Sequence, residues 1–286
     1  MTFLNFQFFP AYTWKKHLIM VLPLKNPQVN IFGQYSWGEK TANFICGCCN
    51  NCRYCYAQSN AIRRCLKTAE TWKEEVVSQE DLHCKVNKCN GRFMYPSTHD
   101  ITPQHINEHI LMIGKILKAG NSIFLISKPH FECIERICRE FADYKDKMEL
   151  CFTIGSTNSD TLSFWEPGAA SYQERKSALS YAFIKGFTTS VSAEPLLDRN
   201  LDGLVNELSP FISRHLWFGK MNFPMQGLTV NGSRDSETMK KVKNLIDFHN
   251  NWNFIRYYYN KFKDNPKIQW KSHFRKEILV DTAKSW

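Results

Sequence analysis

The segment Ile45-Cys-Gly-Cys-Cys-Asn-Asn-Cys-Arg-Tyr-Cys-Tyr-Ala57 crowds Cys46, Cys48, Cys49, Cys52 and Cys55 into ten residues. Three of them, Cys48, Cys52 and Cys55, stand at the spacing C-x3-C-x2-C. A strand is expected just before, at Thr41 to Ile45, and a helix from about Ser59 just after. A loop between such elements can turn three thiols inward around a cluster. Three thiolates hold three irons of a four-iron, four-sulfur cube and leave the fourth iron without a protein ligand. An open metal position is what a catalytic site requires. A structural zinc site takes four ligands instead, typically as two separated C-x2-C pairs. The second pair is missing here. Because Cys46 or Cys49 is available as a fourth ligand, zinc and a fully ligated electron-transfer cluster both stay open.

The surrounding composition supports a reduced, metal-binding reading of these thiols. The chain has 286 residues and eleven cysteines, an odd number. No export signal is read at its start, so a disulfide framework explains the cysteines poorly. Cys133, Cys138 and Cys151 read as small buried hydrophobes. Cys84 and Cys89 flank a basic loop, but two ligands alone hold no cluster. Hydrophobic residues at 43% and charged residues at 22% describe a folded chain rather than a disordered one. The apolar stretch Met1 to Leu24 is interrupted by Lys15, Lys16 and His17, short of the roughly 20 apolar residues a spanning helix needs. No membrane association and a cytoplasmic location are expected. The net charge of +10 favours polyanionic or phosphate-bearing partners without identifying one.

Beyond the cysteine loop, apolar runs of strand type alternate with helical patterns. Strands are expected at Arg92 to Tyr95, Ser122 to Ile126, Leu150 to Ile154, Phe187 to Ser192 and Leu216 to Phe218. Helices are expected over 59–78, after Pro103, from His130 to Tyr144 and from Tyr172 to Lys185. Counted from the cysteine loop this makes six β/α repeats. Strands separated by helices imply a parallel sheet with right-handed crossovers. The fold class is α/β, a partial (β/α)6 barrel, with an N-terminal extension over 1–38, a core over 39–225 and a helical, basic-aromatic extension over 226–286. In such barrels the chemistry gathers at the carboxyl ends of the strands. There the chain places Ser97, Thr98 and Asp100, then Ser127 and Lys128, Thr153 and Ser156, Glu194, and finally Lys220 and Asn222.

The cysteine spacing, with the aromatic Tyr54 before the last cysteine, resembles the signature of the radical S-adenosylmethionine (radical SAM) superfamily. The stretch Trp165-Glu-Pro-Gly168, with Arg175 eight residues after Pro167, is similar to one found in its spore photoproduct lyase-like branch. The order of elements agrees over roughly residues 42–222. This resemblance implies a [4Fe-4S] cluster on Cys48, Cys52 and Cys55, with SAM on the free iron. It also implies reductive cleavage of SAM to methionine and a hydrogen-abstracting 5′-deoxyadenosyl radical, fed by a flavodoxin- or ferredoxin-like one-electron donor. By the same resemblance Ser97, Thr98 or Asp100 would contact SAM, Lys128 would approach its carboxylate, and Thr153 or Ser156 its ribose or methionine part. Glu194 would meet the SAM amino group or the substrate. One departure stands out: the spore lyase carries a hydrogen-donating cysteine just before its rim, where this chain has Tyr95 and Pro96. The substrate is not legible. Nucleic acid is one possibility, and a non-enzymatic cluster- or metal-stabilised binding protein is the reading from another class.

Four further features stand out in the sequence. Glu166 is expected to pin the following helix, with Arg175 as partner. His99 is either a proton shuttle or a satisfied rim residue, and Tyr95 is either a relay or core. The stretch Asn250 to Glu277 interleaves aromatic and basic residues. That pattern suits single-stranded or flipped-out nucleic acid, or a closing helix or strand whose aromatics cover the open edge of the barrel.

Overall fold

The computed structural model describes residues 38–274. The expected extension over 1–38 and the basic residues Arg275 and Lys276 lie outside them, Gly38 excepted. In chain order the elements are β1 Lys40–Thr41, β2 Ile45–Cys46, α1 Tyr56–Arg63, β3 Val76–Val77, α2 Gln79–His83, β4 Arg92–Tyr95 and α3 Ile106–Lys118. There follow β5 Ser122–Ser127, α4 Phe131–Glu140, β6 Met148–Thr153, α5 Ser159–Trp165, α6 Tyr172–Ile184, β7 Thr188–Ala193 and α7 Leu201–Leu208. The chain ends with β8 Leu216–Phe218, α8 Pro224–Val230, α9 Ser236–His249, α10 Trp252–Phe262 and β9 Ile268–Trp270.

Seven strands form one parallel sheet in the order β1-β4-β5-β6-β7-β8-β9. The α/β class and the partial-barrel architecture are therefore as expected, with one strand more than six. The seventh, β9, lies in the extension expected to be helical and supplies the closing element expected of its aromatic stretch. It pairs Ile268 with Leu216 and Trp270 with Phe218, covering the edge that β8 would otherwise leave open. The expected strand Thr41 to Ile45 is divided. Its start joins the main sheet, while Ile45 and Cys46 pair antiparallel with Val77 and Val76. The expected helix over 59–78 is shorter than its apolar pattern suggests. It stops at Arg63, because Cys65 turns left-handed at φ 56° and the chain then swings back to build β3.

Alternation along the strands gives the sheet two different faces. Phe93, Leu125, Leu150, Phe152 and Val191 face the helices and share the main core with Ile113 and Ile116 of α3 and Ile134 and Ile137 of α4. Helix α4 carries its apolar residues at helical spacing, and each such side chain contributes roughly 1.5–3 kcal/mol when buried. The other face holds a smaller cluster of Met94, Phe124 and Cys151. Near the amino ends of the strands this inner face is tied by Glu149. Its carboxylate accepts from Arg92 at 2.6 Å, Ser190 at 2.7 Å and Arg214 at 2.9 Å. The opposite end carries the rim residues.

Candidate functional site

The cysteine loop is gripped from four directions by groups far away in sequence. Asn50 is fully buried and donates its side-chain amide to Asp100 at 2.9 Å. Asp100 also accepts from the Ser127 hydroxyl, from the Lys128 N–H at 3.1 Å and from the Ile101 N–H at 2.8 Å. Both Asp100 oxygens are thus used to fasten the loop to the ends of β4 and β5. Glu75 accepts the Cys49 N–H at 3.0 Å. Tyr54 donates its hydroxyl to Glu166. From the far side Asn231, just past α8, donates to the carbonyls of Arg53 and Cys55, both at 3.0 Å.

The Trp165-Glu-Pro-Gly stretch lies directly against the loop. Arg53 donates its backbone N–H to the Trp165 carbonyl at 2.9 Å and its side chain to Phe164 at 2.8 Å. Gly168 donates to the Asn50 carbonyl at 3.0 Å, and a Cβ on it would stand 2.1 Å from the Cys49 oxygen. Only glycine allows so close an approach. Glu166 and Arg175 form the expected pair at 2.5 Å, both side chains fully buried. Arg175 reaches on to the carbonyls of Ala170 and Thr153. The pair therefore links the start of α6, the end of β6 and Tyr54.

Cys48 and Cys52 are buried, and Cys55 is half-buried at the N-cap of α1, where its sulfur accepts the Gln58 N–H. Burial raises the pKa of all three thiols. Asp100 and the other two cysteines push Cys48 further up. At Cys55 the helix-start amides and Lys128 pull the other way, as positive surroundings do for thiolates. Cys46 and Cys49 look elsewhere. Cys46 sits in the β2–β3 pair near Lys67, and Cys49 is influenced by Glu75, which together with burial lifts its pKa to about 12.

Among the described residues, no three Cys, His, Asp or Glu side chains converge on a single ion position. A four-iron cube makes a different demand, since its three thiolates bond three separate irons. The three neighbouring sulfurs of Cys48, Cys52 and Cys55, with no imidazole among them, fit that demand. Lys128 stands beside them, 5.9 Å above the Tyr54 ring. Burial works against its charge, but Cys52, Glu166 and Asp100 outweigh it and raise its pKa.

The other rim residues are more occupied than the sequence implies. Ser97 accepts from Asn43 at 2.8 Å, and the N–H groups of Ser97 and Thr98 both donate to the same Asn43. The Thr98 side chain is exposed beside them. Thr153 lies on the inner face, in register with Ser192. Ser156 is fully buried, donates to Asp198 and accepts the Asn158 N–H, so its hydroxyl braces two loops. Glu194 lies over Gly219, where a Cβ would come within 2.8 Å of it, and pairs with Lys271 at 3.4 Å. Tyr95 is fully buried on the helix side, hydrogen-bonded to His109 at 2.7 Å. That is core, not a relay toward the inner face. His99 is buried and its pKa is lowered to about 3 by burial and His105, which removes it as a shuttle near neutral pH. Asn43, Glu75 and Asn231 were not anticipated. Each is a single polar loop residue, and nothing local in the sequence distinguishes it.

The described residues form an incomplete parallel barrel with three cysteines on its first loop and a polar rim at its strand ends. Solved structures that match the chain in fold include those of spore photoproduct lyase. One is that lyase complexed with dinucleoside spore photoproduct, at 15% identity and a TM-score of 0.52 over 85% of this chain and 79% of that one. Another is a substituted form of it, at 17% identity and 0.52 over 83% and 77%. A third is a doubly substituted form with bound AdoMet and the same dinucleoside, at 15% and 0.50 over 84% and 78%. Likeness at this identity is likeness of fold. No protein-family model and no curated protein sequence matches the chain. No helix of the described residues is long and apolar enough to cross a membrane.

Proposed function

We propose that the chain is a radical SAM enzyme, in which Cys48, Cys52 and Cys55 hold a [4Fe-4S] cluster. The observation that carries this is the loop itself. The cysteines at the superfamily spacing belong to one buried loop, where Cys52 and Cys55 both act on Cys48, while Lys67 acts on Cys46 and Glu75 on Cys49. Cluster and SAM together would supply a hydrogen-abstracting radical once a one-electron donor had reduced them. The chain's own residues do the rest. Lys128, held cationic beside the thiols, is placed to meet a carboxylate. Thr98, on the rim held by Asn43, and Thr153 on the inner face offer hydroxyls to SAM. Asp100 and Ser156, which the resemblance assigned to SAM, act instead by holding the rim in place. Glu194 with Lys271 lines the side toward β7 to β9, where a substrate would be met.

The test is anaerobic reconstitution with iron and sulfide, followed by reduction with SAM present and assay for 5′-deoxyadenosine. Its formation, lost in C48A, C52A and C55A and kept in C46A and C49A, is the expected result. A chain that takes up zinc, or holds a cluster without cleaving SAM, would favour a binding protein.

A second reading is a nucleic-acid repair or modification enzyme. It is favoured by the dinucleoside held by the structures of matching fold. Tyr95 and Pro96 replace the donor thiol that the resemblance calls for, so the reaction would differ from the lyase's in its hydrogen source. Hydrogen transfer between labelled SAM and an oligonucleotide substrate tests it.

A further inference from the structure

We propose that Glu75 sets the reduction potential of the iron–sulfur cluster, an inference that rests on the radical SAM reading above. Glu75 stands just before β3 with its side chain 1% exposed. Its Oε1 accepts the Cys49 N–H at 3.0 Å, and its Oε2 accepts the Thr102 hydroxyl at 2.9 Å. Both oxygens of Glu75 thus accept a hydrogen bond. The Nε2 of His105 lies 3.6 Å from Oε2, beyond hydrogen-bond length, and has no hydrogen-bond partner among the described residues.

Three buried carboxylates hold the cysteine loop: Glu166 at Tyr54, Asp100 at Asn50 and Glu75 at Cys49. Arg175 balances the first, and Lys128 stands near the second. Glu75 faces an imidazole instead, and at a distance. Its negative charge thus sits one residue from the ligand Cys48 on a side chain only 1% exposed, where charges are felt strongly.

The potential of such a cluster follows the net charge around it and the hydrogen bonds that reach its sulfurs. Glu75 acts on both. Its charge disfavours an added electron. By taking up the Cys49 N–H it also withholds a donor from the thiolates. Both effects lower the potential. Glu75 touches neither substrate nor cluster and works through Cys49, so it is a positioning residue.

The test uses the full chain with its cluster reconstituted, poised electrochemically, with the reduced fraction read by electron paramagnetic resonance. Glu75→Gln keeps the shape and removes the charge. At a fixed potential its reduced-to-oxidised ratio is expected to be about tenfold higher than wild type, an upward shift of about 59 mV for one electron. His105→Lys leaves both bonds of Glu75 in place and sets an ammonium beside it, so it should move the potential the same way. It decides the matter alone if Glu75→Gln fails to hold a cluster. Equal potentials in wild type and variants would overturn the proposal and leave the radical SAM reading standing. A wild-type chain that builds no cluster would overturn both.

Discussion

The Asn50 side chain donates to Asp100 at 2.9 Å, and the bond is buried at both ends. It fixes where the cysteine loop stands relative to the rim. Asn50→Ala removes a donor and leaves part of a buried carboxylate unpaired, a loss of roughly 1–3 kcal/mol. Asn50→Asp should cost more, because it sets a second carboxylate against the first. Urea denaturation of the apo chain would measure both, and iron uptake should fall in the same order.

Glu166 and Arg175 are each fully buried, so neither can turn to water when its partner is lost. Arg175→Met strands a carboxylate in the core and should destabilise by about 3–5 kcal/mol. Removing the charge as well, in the double variant Glu166→Gln with Arg175→Met, should recover most of that. If the double variant is no more stable than the single one, the penalty does not come from the stranded charge.

Stability should fall on mild acidification, and two buried histidines say why. Burial lowers the pKa of His249, whose Nε2 meets the Leu196 carbonyl at 2.8 Å, to about 4, and burial with His105 lowers His99 to about 3. A group whose folded pKa lies below its unfolded value gives stability that is full above about pH 6.5 and is lost as pH falls toward the folded value. Each histidine should therefore remove about 2 kcal/mol between pH 7 and pH 5. Urea midpoints across that range check the slope, which should be shallower in His249→Gln.

Two cations of the basic-aromatic stretch are already engaged within the fold. Lys271 is buried against Glu194 and the Trp217 ring, and Lys261 is bonded to Asp202 at 2.7 Å. Lys271→Met should lower stability by about 1–3 kcal/mol and leave the salt dependence of any oligonucleotide binding unchanged. Exposed Lys263 is the better candidate for altering that dependence. A shallower salt slope in Lys271→Met would mean that Lys271 reaches a phosphate after all.

Features carried by local pattern were legible in the sequence. The cysteine spacing, the strand–helix alternation and the Glu166–Arg175 pair all stand within short windows. What escaped reading depends on long-range contact. Asn231 holds the carbonyl of Arg53 from 178 residues away, and no neighbour of Asn231 announces it. Helix α1 ends early because one residue, Cys65, turns left-handed, which hydrophobic periodicity does not register. Strand β9 has three residues and sits among aromatics and lysines, so its strand character appears only beside β8.

That last strand also bears on how the molecule comes into being. The sheet runs from β1 near residue 40 to β9 near residue 270, and β9 is made only after α8, α9 and α10. On the ribosome, β8 would emerge with a naked edge and Glu194 would wait without its cation until Ile268 to Lys271 were made. A nascent chain could thus shape the cysteine loop while the side facing β9 was still unfinished. Premature termination before Ile268 would release a protein with a formed cysteine loop and an adhesive sheet edge, a natural substrate for chaperones and proteases.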